Sequence, residues 1–374
     1  MDTELPVWDE DHWKALPALT GKIDADSCVV GLGGSGLACI LELLALGQRV
    51  IGIDATMVGG GAGGRNGGFL LAGLPQFYHH AVELFGRNTA RAVYLRTMAE
   101  LDRMTAETPA AIRRVGSVRI ADDVVELEDC ELQLAMMRAD DLPAERYHGP
   151  EGQGILVPTD GAYNPLQRCR QLAQCALARG ATLFEESAAV DIRGDRVLTS
   201  AGAVHCRRVV VAVDGGLSAL LPELGDRVRT ARLQILATAP DYHVDFPRPV
   251  YRRWGYDYWQ QLPDRRVVLG GLRDRSGEGE WTDVAHPTDP VQRGLDRLLR
   301  EQLGVDAPVT HRWAGIVGYS TDGLPVVANP RPDVWATGGY SGTGNVLGAL
   351  CGRGVARLAI TGDAELVHEF WSET

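Results

Sequence analysis

Cys28-Val29-Val30-Gly31-Leu32-Gly33-Gly34-Ser35-Gly36, continued by Leu37 to Leu46 and then by Val50-Ile51-Gly52-Ile53-Asp54, reads as strand, glycine turn, helix, second strand and terminal acid. Each residue type has a mechanical reason to be there. Gly31 permits the tight turn, Gly33 lets a pyrophosphate approach the backbone, and Gly36 lets helix and strand pack closely. The amino end of the helix, from Gly34 and Ser35, then offers free N–H groups to phosphates. Asp54 stands at the spacing of an acid that accepts hydrogen bonds from ribose hydroxyls. A bare G-x-G-x-x-G is weak in a chain with 45 glycines, but the whole sequence of elements predicts a dinucleotide-binding unit.

Working outward, 374 residues exceed what one core usually supports, so two lobes are expected. A net charge of −12 disfavours nucleic acid and anionic membrane surfaces as partners. The first residues, Met1 to Pro6, are acidic and lack signal-peptide features, and no apolar run is long enough for a membrane span. The seven cysteines are scattered without a C-x-x-C pair, which reads as reduced thiols in a cytoplasmic protein with no metal site. His79-His80 is the one histidine pair, and side chains adjacent in sequence are expected to point to different faces rather than to share a ligand.

Before Cys28, Trp8 and Trp13 suggest an arm packed on the surface. After Asp54 comes Gly59-Gly60-Gly61-Ala62-Gly63-Gly64-Arg65-Asn66-Gly67-Gly68, which could be a flexible linker. Arg65-Asn66 within it and Phe69-Leu70-Leu71 after it favour an ordered loop around a ligand. Periodicity predicts helices over 88–115, 126–138, 166–179 and 290–303, and strands over 117–121, 182–184 and 208–213. Between Arg227 and Arg273 the pattern changes to Tyr-, Trp-, Val- and Arg-rich runs. Val250 to Trp254, Tyr256 to Gln260 and Arg266 to Gly271 look like neighbouring strands of a meander, with Tyr256 and Tyr258 on one face. The last element turns through Gly338 to Asn345 into an apolar helix reaching about Ile360. Gly342-Thr343-Gly344 with Gly348 looks like a second phosphate loop, but too little chain follows for another nucleotide lobe. It is better read as part of the first site.

In this order, Gly31-x-Gly33-x-x-Gly36, Asp54, Gly63 to Gly68, Trp313-Ala314-Gly315, Asp322-Gly323-Leu324-Pro325 and Gly338 to Gly344 resemble the FAD-dependent amine and D-amino-acid oxidase family over nearly the whole chain. The resemblance is closest to its γ-glutamylputrescine oxidase-like branch. It implies an α/β protein in which a Rossmann-like FAD-binding lobe is assembled from 1–85, 150–225 and 310–374. A substrate lobe with an antiparallel sheet would come from 86–149 and 226–309.

The implied FAD lies extended, without a covalent link. Gly61, Gly63, Arg65, Asn66, Gly67 and Gly68 are placed near it by the resemblance, as are Val190, Gly315, Gly339, Ser341, Gly342, Thr343, Gly344 and Asn345. The helix after Thr343 would stabilise negative charge on the reduced flavin. The implied reaction is oxidation of a C–N bond, with hydride passing to flavin N5 and the imine then hydrolysed. Tyr256, Tyr258, Trp313 and Tyr340 are expected as pocket walls and Arg252 as a charge partner. Val317 stands where glycine oxidase-like members carry a carboxylate-binding arginine, which makes an amine or larger amino compound more natural than a simple amino acid. Arg253 or Arg273 could supply the anchor from another strand. The family's lysine near flavin N5 has no counterpart, because the only lysines are Lys14 and Lys22. Oxygen or another acceptor could therefore take the electrons. The alternatives are a non-catalytic or electron-transferring FAD subunit of a complex, or other FAD chemistry in a biosynthetic pathway.

Overall fold

The computed structural model describes residues 4–10 and 13–371. Two large sheets share the chain. The first has six strands in the order Thr182–Phe184, Val50–Ile53, Ser27–Val30, Arg208–Val211, Val334–Gly338 and Val326–Arg331. Every neighbouring pair is parallel except the last, which is antiparallel. Parallel strands covered on both faces must be apolar on both, and Ser27–Val30 and Val50–Ile53 are buried throughout. Alternation divides them between two cores. Val29 and Val210 face the helices Gly34–Ala45, Arg87–Glu107, Pro165–Ala178 and Gly344–Thr361, while Cys28, Val30, Val209 and Val211 face Ile192, Val197 and Val204.

Those last three residues belong to a four-stranded sheet formed by Gly21–Asp24, Gly202–His205, Arg196–Thr199 and Ala189–Arg193. The residues before Cys28 are therefore more than a surface arm. Gly21–Asp24 pairs in parallel with Gly202–His205, and Trp8 is buried against Phe69 and Trp313. The prediction missed this because short strands gain their stability from a remote partner rather than from local pattern.

The second large sheet has eight strands: Val309–Ser320, Val228–Pro240, Arg266–Gly271, Asp257–Gln261, Val250–Arg252, Ser117–Ile120, Gly152–Val157 and Glu145–Gly149. All pairs are antiparallel except Val250–Arg252 with Ser117–Ile120. The meander expected from the sequence lies at its centre. One face packs on the helix Asp289–Arg297 through Leu236, Trp259, Leu269 and Leu295. The other carries Tyr258, Ile235 and Trp313 toward Phe69 and the glycine-dense segment.

Sheet membership departs from the expected lobe boundaries in three places. Gly152–Val157 and Val309–Ser320, though the latter begins at the expected boundary and runs beyond it, are strands of the eight-stranded sheet, and Arg87–Glu107 packs with the helices over the parallel sheet. The helix predicted over 88–115 stops at Glu107, where Pro109 opens a 3₁₀ turn. The helix predicted over 290–303 is helical to Arg297 and then widens into a π turn over Leu298–Gln302. Among the described residues no helix is long and apolar enough to cross a membrane.

Candidate active site

The glycine turn forms as its residue types require. Gly31 has φ +106° and donates its N–H to Ile53 O at 2.8 Å, and a Cβ on Gly36 would overlap the Gly31 carbonyl oxygen. Gly33 differs: beside an added Cβ lies only the Gly63 Cα, at 3.9 Å. Space is therefore left above the amino end of Gly34–Ala45. That end has no side-chain cap and no acid in its first turn. The helix Gly344–Thr361 likewise starts at Thr343 without a side-chain cap or first-turn acid. The two helices touch backbone to backbone, since a Cβ on Gly352 would overlap Ser35 O. Two uncapped helix ends and the clearance at Gly33 fit a pyrophosphate-bearing nucleotide.

Asp54 closes this cradle. Its Oδ2 accepts from Leu32 N at 2.8 Å, and its Oδ1 accepts from Thr56 N and Oγ1 at 2.8 and 3.0 Å. Burial pushes its carboxyl above the usual range, against those hydrogen bonds. Oδ2 keeps acceptor capacity, so a ribose hydroxyl remains compatible with it. Glu185, which sequence reasoning passed over, pins the neighbouring loop by accepting from Trp13 Nε1, Leu16 N and Val58 N.

The segment Gly59 to Gly68 is ordered, a loop with one short helical turn over Ala62–Arg65. A Cβ on Gly63 would stand 3.0 Å from Gly33 Cα and Gly34 N, so this loop rides against the glycine turn. Arg65 donates through Nε to Ala314 O at 2.7 Å, and the Arg65 carbonyl accepts from Trp313 Nε1 at 2.8 Å. Asn66 Oδ1 accepts from Gly68 N and Asn345 Nδ2, at 2.9 and 3.1 Å. Gln260 Nε2 donates to Gly67 O and Gly68 O. Side chains from the eight-stranded sheet and from the helix Gly344–Thr361 thus fix the loop.

A cavity of about 460 Å³ opens beside it. Pairing register explains its wall: Arg119, Tyr251, Tyr258, Gly270 and Ile235 are successive partners across five strands and share one face. A Cβ at Gly270 would overlap the Tyr258 ring, and one at Gly67 would come within 2.9 Å of it, so two glycines leave room for that ring. Phe69 packs on Tyr251 at 4.8 Å and edge-on to Tyr258 at 5.7 Å. Gly315, Val317 and Tyr319 supply the adjoining wall, and Ser341, Gly342, Thr343 and Asn345 the far edge. Burial raises the Tyr251, Tyr258 and Tyr319 hydroxyls far enough to keep them neutral.

Of the side chains expected as walls, Tyr256 and Tyr258 line the cavity and two others do not. Trp313 is fully buried beneath Arg65. Tyr340 is buried with its hydroxyl bonded to Ser35 at 2.8 Å and Thr337 at 3.0 Å, which makes it a brace between the two nucleotide segments. Arg252 is also corrected: it pairs with Asp122 and Asp257 outside the cavity. Arg253 is held by Asp257 and Asp274 and lies outside it too. Val190 is 66% exposed on the four-stranded sheet, a position that gives no support to a cofactor contact. Gly339, at φ +66°, donates its N–H to Asp214 Oδ1 at 2.9 Å rather than lining the cavity. Asp214 also receives Gly318 N and Tyr340 N, and burial pushes its carboxyl up to about 6.

Sequence reasoning missed Arg119, Tyr251, Tyr319 and His80 as lining residues. His79 and His80 also depart from expectation, with ring centroids 4.0 Å apart and both rings facing Asp129, at 3.5 and 3.7 Å. The remaining Asp129 oxygen accepts from Trp254 Nε1 at 2.7 Å. Arg253 and Trp254 adopt φ of +52° and +54° at the rim, a strained turn whose N–H groups both donate to Glu126.

The model of the FAD-dependent oxidoreductase family called DAO matches residues 26–358. The chain belongs to that family. Named relatives match over almost its full length. It is 27% identical to a Rhizobium meliloti (strain 1021) protein named "Probable oxidoreductase OrdL", covering 94% of this chain and 86% of the relative. It is 26% identical to the gamma-glutamylputrescine oxidoreductase of Escherichia coli (strain K12), covering 96% and 89%. The crystal structure of glycine oxidase from Geobacillus kaustophilus superposes with a TM-score of 0.76 at 20% identity, over 90% of this chain and 94% of that one. As a DAO-family member the protein is an FAD-dependent oxidoreductase with the mixed α/β fold of that group.

Proposed function

We propose that the protein oxidises the C–N bond of an amine or amino compound, with a non-covalently held FAD as the immediate oxidant. The observation that carries this reading is the aromatic cavity set directly against the glycine-dense loop and beside the start of Gly344–Thr361. Relatives named for gamma-glutamylputrescine and glycine support C–N chemistry. No cysteine lines the cavity among the described residues, and Arg65 occupies the loop, which favours a flavin without a covalent attachment.

When bound, FAD supplies a two-electron acceptor, and the protein supplies position and electrostatics. Gly33, Gly34 and Ser35 offer the first helix end to phosphate, while Asp54 holds the turn and accepts from the ribose. Asn66 and Asn345 tie the loop to the second helix end. That end favours negative charge through its unpaired N–H groups. The neutral phenols of Tyr251 and Tyr258 make an apolar wall where an amine can sit unprotonated, as loss of hydride from its α-carbon requires. Glu126, whose carboxylate is bonded by the N–H groups of Asp122, Arg253 and Trp254, is outnumbered in the lining by Arg65, Arg119 and Arg273, whose charges disfavour an ammonium. The substrate loses a hydride and a proton, and water converts the imine into a carbonyl compound and a free amine or ammonia.

Product analysis tests the reading. Holoenzyme incubated with a panel of amines, amino acids and hydroxy acids should give a carbonyl product together with released amine or ammonia. Carbonyl formation from hydroxy acids alone would replace C–N with C–O oxidation.

A further inference from the structure

We propose, building on the C–N reading, that the cavity selects an amino compound carrying two acidic groups, one bound at Arg119 and the other at Arg273. The chain as a whole has a net charge of −12, yet the charged lining includes Arg65, Arg119 and Arg273 against Glu126. Arginines just outside the cavity are paired. Arg252 and Arg253 meet Asp257, and Arg113 donates to Gln260 and Gln261.

Arg119 and Arg273 are exceptions. Among the described residues neither forms an ion pair, and Arg119 Nε is buried without a hydrogen-bond partner. The Arg119 guanidinium lies over Phe77 at 5.1 Å. Asp160 is the acid whose charge it feels, but Asp160 is committed to Ser117 Oγ at 2.6 Å and Ala72 N at 3.1 Å. Arg273 is caged by Tyr256, Trp281 and Tyr319, at 5.5, 4.9 and 4.5 Å from their ring centroids. These rings carry no counter-charge, and beyond the Tyr319 hydroxyl, which accepts one hydrogen bond from it, the Arg273 guanidinium has N–H groups for an oxyanion. A half-buried cation without a counter-charge is costly unless a ligand completes it.

The two arginines stand at different ends of one wall. Arg119 is the register partner of Tyr251, and Arg273 follows the strand Arg266–Gly271, three strands away or roughly 14 Å across the sheet at backbone level. Both side chains turn into the same cavity, so an extended molecule can meet both. Arg273 lies beside Tyr319, on the strand whose Gly315 adjoins Arg65 of the glycine-dense loop, whereas Arg119 lies on the far side of Tyr251. Two acidic groups held by these arginines therefore lie at opposite ends of one molecule. Amino dicarboxylates have this form.

Redox-inert probes separate this claim from catalysis. Holoenzyme is titrated with succinate, glutarate and adipate, and with monocarboxylates of matching length. Binding is followed by calorimetry and by perturbation of the flavin spectrum. At least one dicarboxylate should bind roughly tenfold or more tightly than its monocarboxylate match, as expected for one added charged hydrogen-bonding partner. Arg119→Met and Arg273→Met should each remove that advantage while flavin content stays unchanged. Equal binding of both series by the unaltered holoenzyme would overturn the proposal without any variant having to fold, as would an advantage that survives both substitutions. Failure of the dicarboxylates alongside C–N oxidation would remove only this inference. Selective binding of them without C–N oxidation would instead remove the proposed reaction.

Discussion

Gly33 and Gly36 stand three residues apart, yet their surroundings predict different outcomes of substitution. A side chain at Gly33 points into clear space, with Gly63 Cα at 3.9 Å, whereas one at Gly36 collides with Gly31 O. Gly33→Val should therefore fold, with an unchanged circular dichroism spectrum, and purify without flavin. Gly36→Val should lose folded protein as well. A Gly33→Val protein with full flavin content would remove the phosphate role of the turn. The two tyrosines diverge similarly. Tyr258→Ala should slow flavin reduction with flavin retained, because it opens the cavity wall. Tyr340→Ala should lower the urea-unfolding free energy by about 3–5 kcal/mol, since it vacates a buried site and strands the Ser35 and Thr337 hydroxyls. Equal stability of the two variants would contradict this division. The turn was legible in the sequence because its reasons are local. Arg119 was not, because its partnership with Tyr251 depends on register between strands more than a hundred residues apart.

Helices were legible where apolar periodicity and stop signals agreed, as at Pro165–Ala178, which the Asn164 side chain caps by accepting from Gln167 N. What joins them was not legible. Arg353 is fully buried on Gly344–Thr361 and binds Glu100 and Glu107 of Arg87–Glu107, while Glu42 of Gly34–Ala45 takes Arg103 and Arg357. Burial raises Glu42 and Glu107, but the surrounding guanidiniums outweigh it and hold both below the usual 4.5. Glu100 goes the other way, raised by burial despite Arg353. A lowered carboxyl contributes stability above its unfolded pKa and loses it as pH falls through the folded one. Stability should therefore decline below about pH 4.5, with Glu100 partly offsetting the loss. Arg353→Met should cost about 3–5 kcal/mol at pH 7 by leaving the buried Glu100 carboxylate without an ion pair, and should flatten that acid decline as Glu107 keeps only Arg168 and Arg103. Urea midpoints measured from pH 7 to about pH 2.5 check both, and an acid decline as steep in the variant would contradict the assignment.

On the scale of the whole molecule, two sheets are woven from alternating segments, and the cavity lies where the glycine-dense loop of one meets the central strands of the other. The sequence indicated two lobes and the meander, but Val309–Ser320 pairs along Val228–Pro240 from about seventy residues away, a contact no local pattern announces. No lysine lines the cavity among the described residues, and Arg65 spends its Nε on Ala314 O. A missing charge beside a developing anion costs roughly two to three powers of ten in rate. Reduced enzyme mixed with oxygenated buffer should accordingly reoxidise slowly, and electrons should pass faster to an artificial acceptor. Rapid reoxidation would show that an arginine or His80 supplies the charge. Anaerobic titration of the purified yellow protein tests the central claim most directly. An amine or amino acid, with amino dicarboxylates foremost, should bleach the oxidised flavin band in a single two-electron step, whereas a flavin that every C–N compound leaves oxidised would contradict the account.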